Sequence, residues 1–211
     1  MYTHNKNTIV AGHPVNEAKK AIIMLHGRGA TAQDIISLAG NLRITETAIF
    51  APQAENRSWY PYSFMEELEN NQPALDSALN AIDNLVGEIY DQGIPASQLY
   101  FLGFSQGACL ALEYVTRYAQ QYGGVIAFTG GLIGKDLDKT SYSGNFEKTP
   151  ILITTGDPDA HVPLSRVEDS VKLLKEMHAD VTLKVYKGRQ HTIQIQEIEL
   201  ARELVLKSLA G

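Results

Sequence analysis

The segment LYFLGFSQG, residues 99–107, decides the fold. Its first four residues are apolar, which is typical of a buried strand, and the motif G-x-S-x-G follows directly. Ala108, Leu112 and Val115 then recur at helical spacing. A serine on such a tight strand-to-helix turn exposes its hydroxyl, and the two glycines leave space where side chains would collide. We therefore predict that Ser105 is a nucleophile at the end of a strand.

On either side of this segment, short β-type runs alternate with helical patterns. Apolar runs occupy residues 21–25, 47–51, 125–128 and 151–155, and a more alternating run occupies 182–186. Runs that are apolar on both faces suit a covered parallel sheet, and the alternating run suits an edge strand. Helical periodicity covers about 32–42, 73–90, 106–120, 164–178 and 193–209. This order predicts an α/β fold, with a mostly parallel, twisted sheet and helices on both faces.

Length and composition predict one domain that spans residues 1–211. Hydrophobic residues make up 44% and charged residues 20% of the sequence, which is ordinary for a soluble globular protein. No apolar run approaches the ~20 residues that cross a bilayer, so no integral membrane segment is expected. Residues 1–7 also lack the apolar core of a signal peptide.

Charge and cysteine content restrict the partners and the compartment. The net charge is −6 and no basic run exceeds Lys19-Lys20, so neither nucleic acid nor an anionic membrane is expected as a partner. Cys109 is the only cysteine and cannot form an intramolecular disulfide. A reducing compartment fits this usage, and we expect a cytoplasmic protein. A homodimer is left open.

A nucleophilic serine needs a histidine base, and the base needs an acid to orient it. In α/β-hydrolases the chain order is serine, then Asp or Glu, then histidine. His161, His178 and His191 follow Ser105, and His178 falls near the end of a predicted helix. We favour His191 as the base, because it lies in a loop after the last strand and can return over the sheet edge.

The acid is expected in the loop after residues 151–155. Two aspartates compete there, Asp157 directly at the strand end and Asp159 beyond Pro158. The spacing excludes neither aspartate. It favours Asp159, because at that residue the loop extends beyond the edge of the sheet. His161 belongs to the same loop and is expected to line the site.

Backbone N–H groups must stabilise the oxyanion of the acyl intermediate. One donor is expected to be Gln106, directly after the nucleophile, and the other comes from a loop after an earlier strand. The stretch LHGRG, residues 25–29, follows such a strand, and glycines on both sides of Arg28 let its amide turn inward. We expect His26 to brace this loop without taking part in chemistry.

Residues 52–72 form a long irregular stretch that contains Trp59, Tyr60 and Phe64. It follows a strand, so it lies at the carboxyl edge of the sheet, where α/β proteins bind ligands. These aromatic residues are expected either to wall the acyl pocket or simply to pack under the loop. No spacing of metal ligands and no nucleotide-binding motif is present, so neither a metal nor a cofactor is expected.

Taken together, these motifs resemble the phospholipase/carboxylesterase family of small α/β-hydrolases. The motifs that carry the resemblance are LHGRG at 25–29, APQ at 51–53, RSWY at 57–60, GFSQG at 103–107, GDPDAHVP at 156–163 and GRQHT at 188–192. The family includes acyl-protein thioesterases and is related to dienelactone hydrolases. The resemblance implies an α/β-hydrolase fold without a large cap domain, and hydrolysis of esters or thioesters without a cofactor.

The family pattern G-x-x-D-x-x-V-P implies that Asp159 is the acid, and it supports Arg28 and Gln106 as amide donors. Two departures qualify the resemblance. Acyl-protein thioesterases often have an apolar residue at the position of Arg28, so a purely lipidic substrate is less expected. Dienelactone hydrolases typically use a cysteine nucleophile, whereas this chain has Ser105.

The sequence therefore predicts a serine hydrolase that cleaves carboxylic esters of short to medium acyl chains. A thioesterase acting on acyl-proteins or small acyl thioesters would use the same triad and stays an alternative. A non-catalytic homologue that binds a small ligand is a third alternative. Loss of a triad residue would have been its mark, and Ser105, Asp159 and His191 are all present.

Overall fold

A computed structural model describes residues 2–209 and contains one seven-stranded sheet. The strands are β1 Thr8–Gly12, β2 Lys20–Leu25, β3 Thr47–Pro52, β4 Leu99–Phe104, β5 Gly124–Phe128, β6 Pro150–Asp157 and β7 Asp180–Lys187. The helices are α1 Ala32–Ile36, α2 Ala39–Leu42, α3 Leu68–Asn71, α4 Ala74–Asp91, α5 Gln106–Arg117, α6 Leu164–Glu176 and α7 Ile195–Leu204. No helix within residues 2–209 is long and apolar enough to cross a membrane.

The strand order is β1-β3-β2-β4-β5-β6-β7, and every pair is parallel except β1 with β3. The central strands β2, β4 and β5 are almost fully buried, as their continuous apolar runs predict. β7 lies at one edge with one buried residue and a half-exposed remainder, which also confirms the prediction. The predicted α/β class with a mostly parallel sheet is confirmed.

Helices cover both faces of the sheet because alternate strand residues point to opposite sides. Ile23, Leu25 and Phe101 pack into a core with α4, α5 and α6. Ile22 and Leu102 pack on the other face, into a smaller core with α1, α2 and α7. The carboxyl ends of the parallel strands therefore meet at one edge of the sheet, where the loops after β2, β4, β6 and β7 converge.

The sequence pattern missed β1 and the short helix α3, and it overestimated the length of several helices. β1 pairs antiparallel at the edge and buries no residue fully, so it lacks an apolar run. The predicted helix over 32–42 is divided near Ser37, whose hydroxyl donates to Asp34 O at 2.6 Å and ends α1. The helices predicted to end at 120 and 209 end at Arg117 and Leu204, and a short 3₁₀ turn follows the latter at 207–209.

Candidate active site

Ser105 lies on the turn between β4 and α5 with a strained backbone. Its φ of 53° and ψ of −117° fall in a region that residues with a side chain rarely adopt. Its N–H donates to Phe128 O at 2.9 Å, which ties the turn to β5. A Cβ on Gly103 would lie 2.3 Å from Gly107 O, and a Cβ on Gly107 would lie 2.2 Å from Leu25 O. Both flanking positions therefore require glycine, for the reason that the motif predicts.

The structure brings Ser105, His191 and Asp159 together at the carboxyl edge. His191 lies in the loop between β7 and α7, and its Nε2 is 2.7 Å from Ser105 Oγ. Its Nδ1 is 2.8 Å from Asp159 Oδ2, in the loop that follows β6. Because an ionised carboxylate can only accept, Nδ1 carries the hydrogen and Nε2 is free to accept from the serine hydroxyl.

The carboxylate of Asp159 is fully buried and has three hydrogen-bond donors. Besides His191, the backbone N–H groups of His161 and Val162 donate to Oδ1 at 2.8 and 3.0 Å. Burial raises the pKa of Asp159, but the bond from His191 and the two N–H bonds outweigh it and hold the pKa below its usual range. The group is therefore ionised at neutral pH.

Asp157 has a different environment from Asp159. It is the last residue of β6, and its carbonyl accepts from Gly188 N at 2.8 Å. Within residues 2–209 no hydrogen bond is made by its side chain. The two aspartates of this loop are thus separated by geometry, and only Asp159 reaches the imidazole.

Arg28 and Gln106, the expected oxyanion donors, both line the cavity that contains Ser105. Neither backbone N–H group donates to an acceptor among the described residues, so both remain available as hydrogen-bond donors. Gly29 has a φ of 81°, and its N–H donates to Arg57 O at 2.7 Å, which fixes the loop after β2. Gln106 is the first residue of α5, where the helix N-terminus adds positive potential.

His26 is a brace for this loop. Ala54 N donates to its Nε2 at 3.1 Å, so the hydrogen lies on Nδ1, which donates to Gly27 O at 2.8 Å. Burial lowers the pKa of His26 and keeps the ring neutral, although the bond to Gly27 acts in the opposite direction. The expected bracing role matches these contacts.

Of the two roles expected for Trp59, its contacts favour packing under the loop, because Trp59 is not among the residues that line the cavity. Its indole is 1% exposed, packs 5.0 Å from the His26 ring and donates Nε1–H to His26 O at 2.8 Å. A buried indole N–H needs an acceptor, and the carbonyl of His26 supplies it. Composition alone could not tell which aromatic residues of the stretch face inward.

Tyr60, Phe64 and His161 do line the cavity, as the sequence predicts. The cavity has a volume of about 530 Å³, and Tyr62, Phe104, Cys109 and Val162 also line it. Phe104 precedes Ser105 and Val162 follows His161. Their positions next to predicted site residues could have indicated that they line the cavity.

Cys109 is a buried residue of the cavity wall. Its thiol accepts from Gly131 N at 3.5 Å, and burial raises its pKa to about 12. The thiol is therefore protonated and inert at neutral pH. Within residues 2–209 no cluster of three His, Cys, Asp or Glu side chains could hold a metal ion.

The sequence predicts a role only for the backbone N–H groups of Arg28 and Gln106, but their side chains also hold the cavity wall. Gln106 Oε1 accepts from Trp59 N at 2.9 Å, and its Nε2 donates to Tyr60 O at 2.8 Å. The guanidinium of Arg28 donates to Pro61 O at 2.6 Å and Tyr62 O at 2.5 Å. Residues 59–62 are thereby attached to both Arg28 and Gln106, which no sequence motif indicated.

A serine on a strained strand-to-helix turn, bonded through histidine to aspartate at the carboxyl edge of this sheet, is the arrangement of an α/β-hydrolase. The chain belongs to the phospholipase/carboxylesterase family, whose sequence profile matches residues 5–209. The fold, the absence of a large cap among residues 2–209 and the serine-hydrolase class predicted from the sequence are confirmed.

Individual relatives agree with this assignment. The crystal structure of a phospholipase/carboxylesterase from Dyadobacter fermentans is 60% identical, with a TM-score of 0.97, and covers 98% of this chain and 99% of its own. Acyl-protein thioesterase 1 of Saccharomyces cerevisiae is 30% identical over 223 residues, which cover 93% of this chain and 96% of the thioesterase. Esterase PE8, at 23% identity and a TM-score of 0.79, shares the fold and covers 98% of each chain.

Proposed function

We propose that this protein hydrolyses carboxylic esters of short to medium acyl chains through a covalent acyl-enzyme. The observation that carries the proposal is the unbroken chain of short hydrogen bonds from Asp159 through His191 to Ser105, with Ser105 and His191 lining one cavity. Membership of the phospholipase/carboxylesterase family supports the same reaction class.

In the proposed mechanism Ser105 Oγ attacks the ester carbonyl while His191 Nε2 takes its proton. The N–H groups of Arg28 and Gln106 stabilise the tetrahedral oxyanion. His191 then protonates the leaving alcohol, and water releases the acyl group by the same steps in reverse. Asp159 keeps the imidazole in the tautomer that accepts from Ser105 and stabilises the imidazolium that forms.

The proposed limit on acyl length is about eight carbons. It is supported by the cavity volume of about 530 Å³ and by the cation of Arg28 at its wall. Butyryl and palmitoyl 4-nitrophenyl esters, compared below their aggregation concentrations, test the limit. Faster turnover of the palmitoyl ester would contradict it.

Thioester hydrolysis is a second candidate, favoured by the similarity to acyl-protein thioesterase 1 of S. cerevisiae. The same triad would serve, because attack at the carbonyl is common to both reactions. Butyryl esters and butyryl thioesters with matched leaving-group pKa values separate the two by kcat/KM. We expect the oxygen ester to be turned over at least as fast.

The decisive experiment replaces Ser105 by alanine. We expect ester turnover to fall by several decades with little change in Tm, because the hydroxyl carries the reaction. Asp157→Asn is the matched control, since its side chain makes no hydrogen bond to a triad residue. Unchanged turnover in Ser105→Ala would refute the proposal and favour a non-catalytic, ligand-binding homologue.

The proposal also places the protein in the cytoplasm, without nucleic acid as a partner. Support comes from the net charge of −6 and from the single buried thiol of Cys109. Subcellular fractionation tests the location. A homodimer stays a prediction, which sedimentation equilibrium tests.

A further inference from the structure

A buried ion pair lies directly beside the loop that carries His191. The side chains of Arg189 and Glu197 are 1% and 0% exposed, and Arg189 Nη1 is 3.4 Å from Glu197 Oε2. Burying two charges is costly in free energy, so such a pair is weak evidence for stability alone. The other hydrogen bonds of Arg189 and Glu197 indicate a role for the pair besides stability.

The guanidinium of Arg189 attaches the loop on both sides of His191. Arg189 precedes His191 by two residues, and its Nη1 donates forward to the carbonyl of Thr192. Its Nη2 donates to Thr129 Oγ1 at 2.7 Å, in the loop after β5. Just before Arg189, Gly188 N donates to Asp157 O at 2.8 Å. The backbone around His191 is therefore held at its entry and its exit.

Glu197 extends the same network to the strand that leads to the acid. One carboxylate oxygen accepts from the hydroxyl of Thr154 on β6, and the other accepts from Gln194 N at 2.9 Å. Thr129 N in turn donates to Thr154 O at 2.7 Å. The network thus joins the ends of β5 and β6 to the start of α7.

We propose that Arg189 and Glu197 are positioning residues that hold His191 within reach of both Ser105 and Asp159. The proposal rests on the function proposed above. His191 lies on a loop and its side chain is 23% exposed, so packing around the imidazole alone does not fix its position. The backbone of the loop therefore has to be held by other contacts. Its imidazole has to receive a proton from Ser105 and then deliver it to the leaving group, and a 1 Å misplacement costs about 10²-fold in rate.

The test compares two butyryl esters that differ in the leaving group. 4-Nitrophenolate departs without a proton, whereas ethoxide needs the proton that His191 delivers. Arg189→Lys keeps a cation opposite Glu197 but cannot reproduce the planar fork to Thr129 and Thr192. We expect kcat/KM to fall about 10²-fold for ethyl butyrate and about 10-fold for 4-nitrophenyl butyrate. The ratio of the two values then changes about tenfold.

This ratio separates positioning from folding. A variant that is only partly folded loses kcat/KM equally for both esters, so its ratio stays that of the wild type. Thr129→Val removes one hydrogen bond to Arg189 while keeping the shape of the side chain. If Arg189→Lys does not fold, the ratio of the two kcat/KM values in Thr129→Val tests the positioning role instead.

Arg117→Lys is the matched control, because Arg117 pairs with the buried Glu113 at 2.7 Å on α5 and makes no hydrogen bond or ion pair with a triad residue. Its ratio should equal that of the wild type. An active wild type with unchanged ratios in folded Arg189→Lys and Thr129→Val overturns the positioning role alone. A wild type that hydrolyses neither ester overturns the proposed function, and the positioning role with it.

Discussion

Replacement of Asp159 by asparagine tests how the triad controls the proton on His191. The amide oxygen of the variant can still accept from the N–H groups of His161 and Val162, which hold Oδ1 at 2.8 and 3.0 Å. The amide NH₂ group then faces His191 Nδ1 and can only donate. His191 must place its hydrogen on Nε2, so it faces Ser105 as a donor and cannot take the hydroxyl proton.

The expected loss in kcat is about 10⁴-fold, as in the serine-protease case of this substitution, or about 5.5 kcal/mol in the activation free energy. The fold should survive with a loss of about 1–2 kcal/mol, because all three hydrogen bonds can still form but lose the negative charge of the carboxylate. The assay measures kcat and Tm for Asp159→Asn beside Asp157→Asn. A catalytically dead Asp157→Asn with a normal Asp159→Asn would refute the reasoning.

Three further predictions concern stability and the cavity wall. Burial lowers the pKa of His4, so the neutral ring stabilises the fold above about pH 6.5, and this contribution is lost as pH falls through the lowered value; Tm should drop from pH 7.5 to 5.5, and less steeply in His4→Gln. Gly107→Ala places a Cβ 2.2 Å from Leu25 O, so the free energy of unfolding in denaturant melts should fall by about 3 kcal/mol or more. In the control Gly40→Ala the new Cβ meets nothing within 4 Å, so the free energy of unfolding should stay equal or rise slightly. Gln106→Ala keeps the backbone N–H but releases the cavity wall, so KM should rise more than kcat falls; equal KM values would contradict the role of this side chain.

The parallel part of the sheet was predictable because strands covered on both sides leave continuous apolar runs. β1 was not, because an antiparallel edge strand with half-exposed residues carries no such run. Ser105, His191 and the loop of Asp159 followed from strand-end positions. The choice between Asp157 and Asp159 depended on the family resemblance, since two residues of spacing do not specify which side chain points at an imidazole.

Side chains that act through buried polar contacts could not be recognised from the sequence. Arg and Glu are residue types that usually lie at the surface, so the sequence gives no sign that Arg189 and Glu197 are buried. Only the fold shows that both charges are buried together. The role of Trp59 stayed open in the sequence because an aromatic residue in a loop at the sheet edge suits a pocket wall and a packed core equally well. In each case the deciding information is which side chains the tertiary fold turns inward.

The central claim, that Ser105 carries the acyl group, is tested most directly by mapping a covalent adduct. The protein is treated with a fluorophosphonate, digested and analysed by peptide mass spectrometry, with Ser105→Ala treated in parallel. The account predicts one stoichiometric adduct on Ser105 in the wild type and none in the variant. An adduct on another serine or on Cys109, or an unmodified Ser105 in protein that hydrolyses esters, would contradict it.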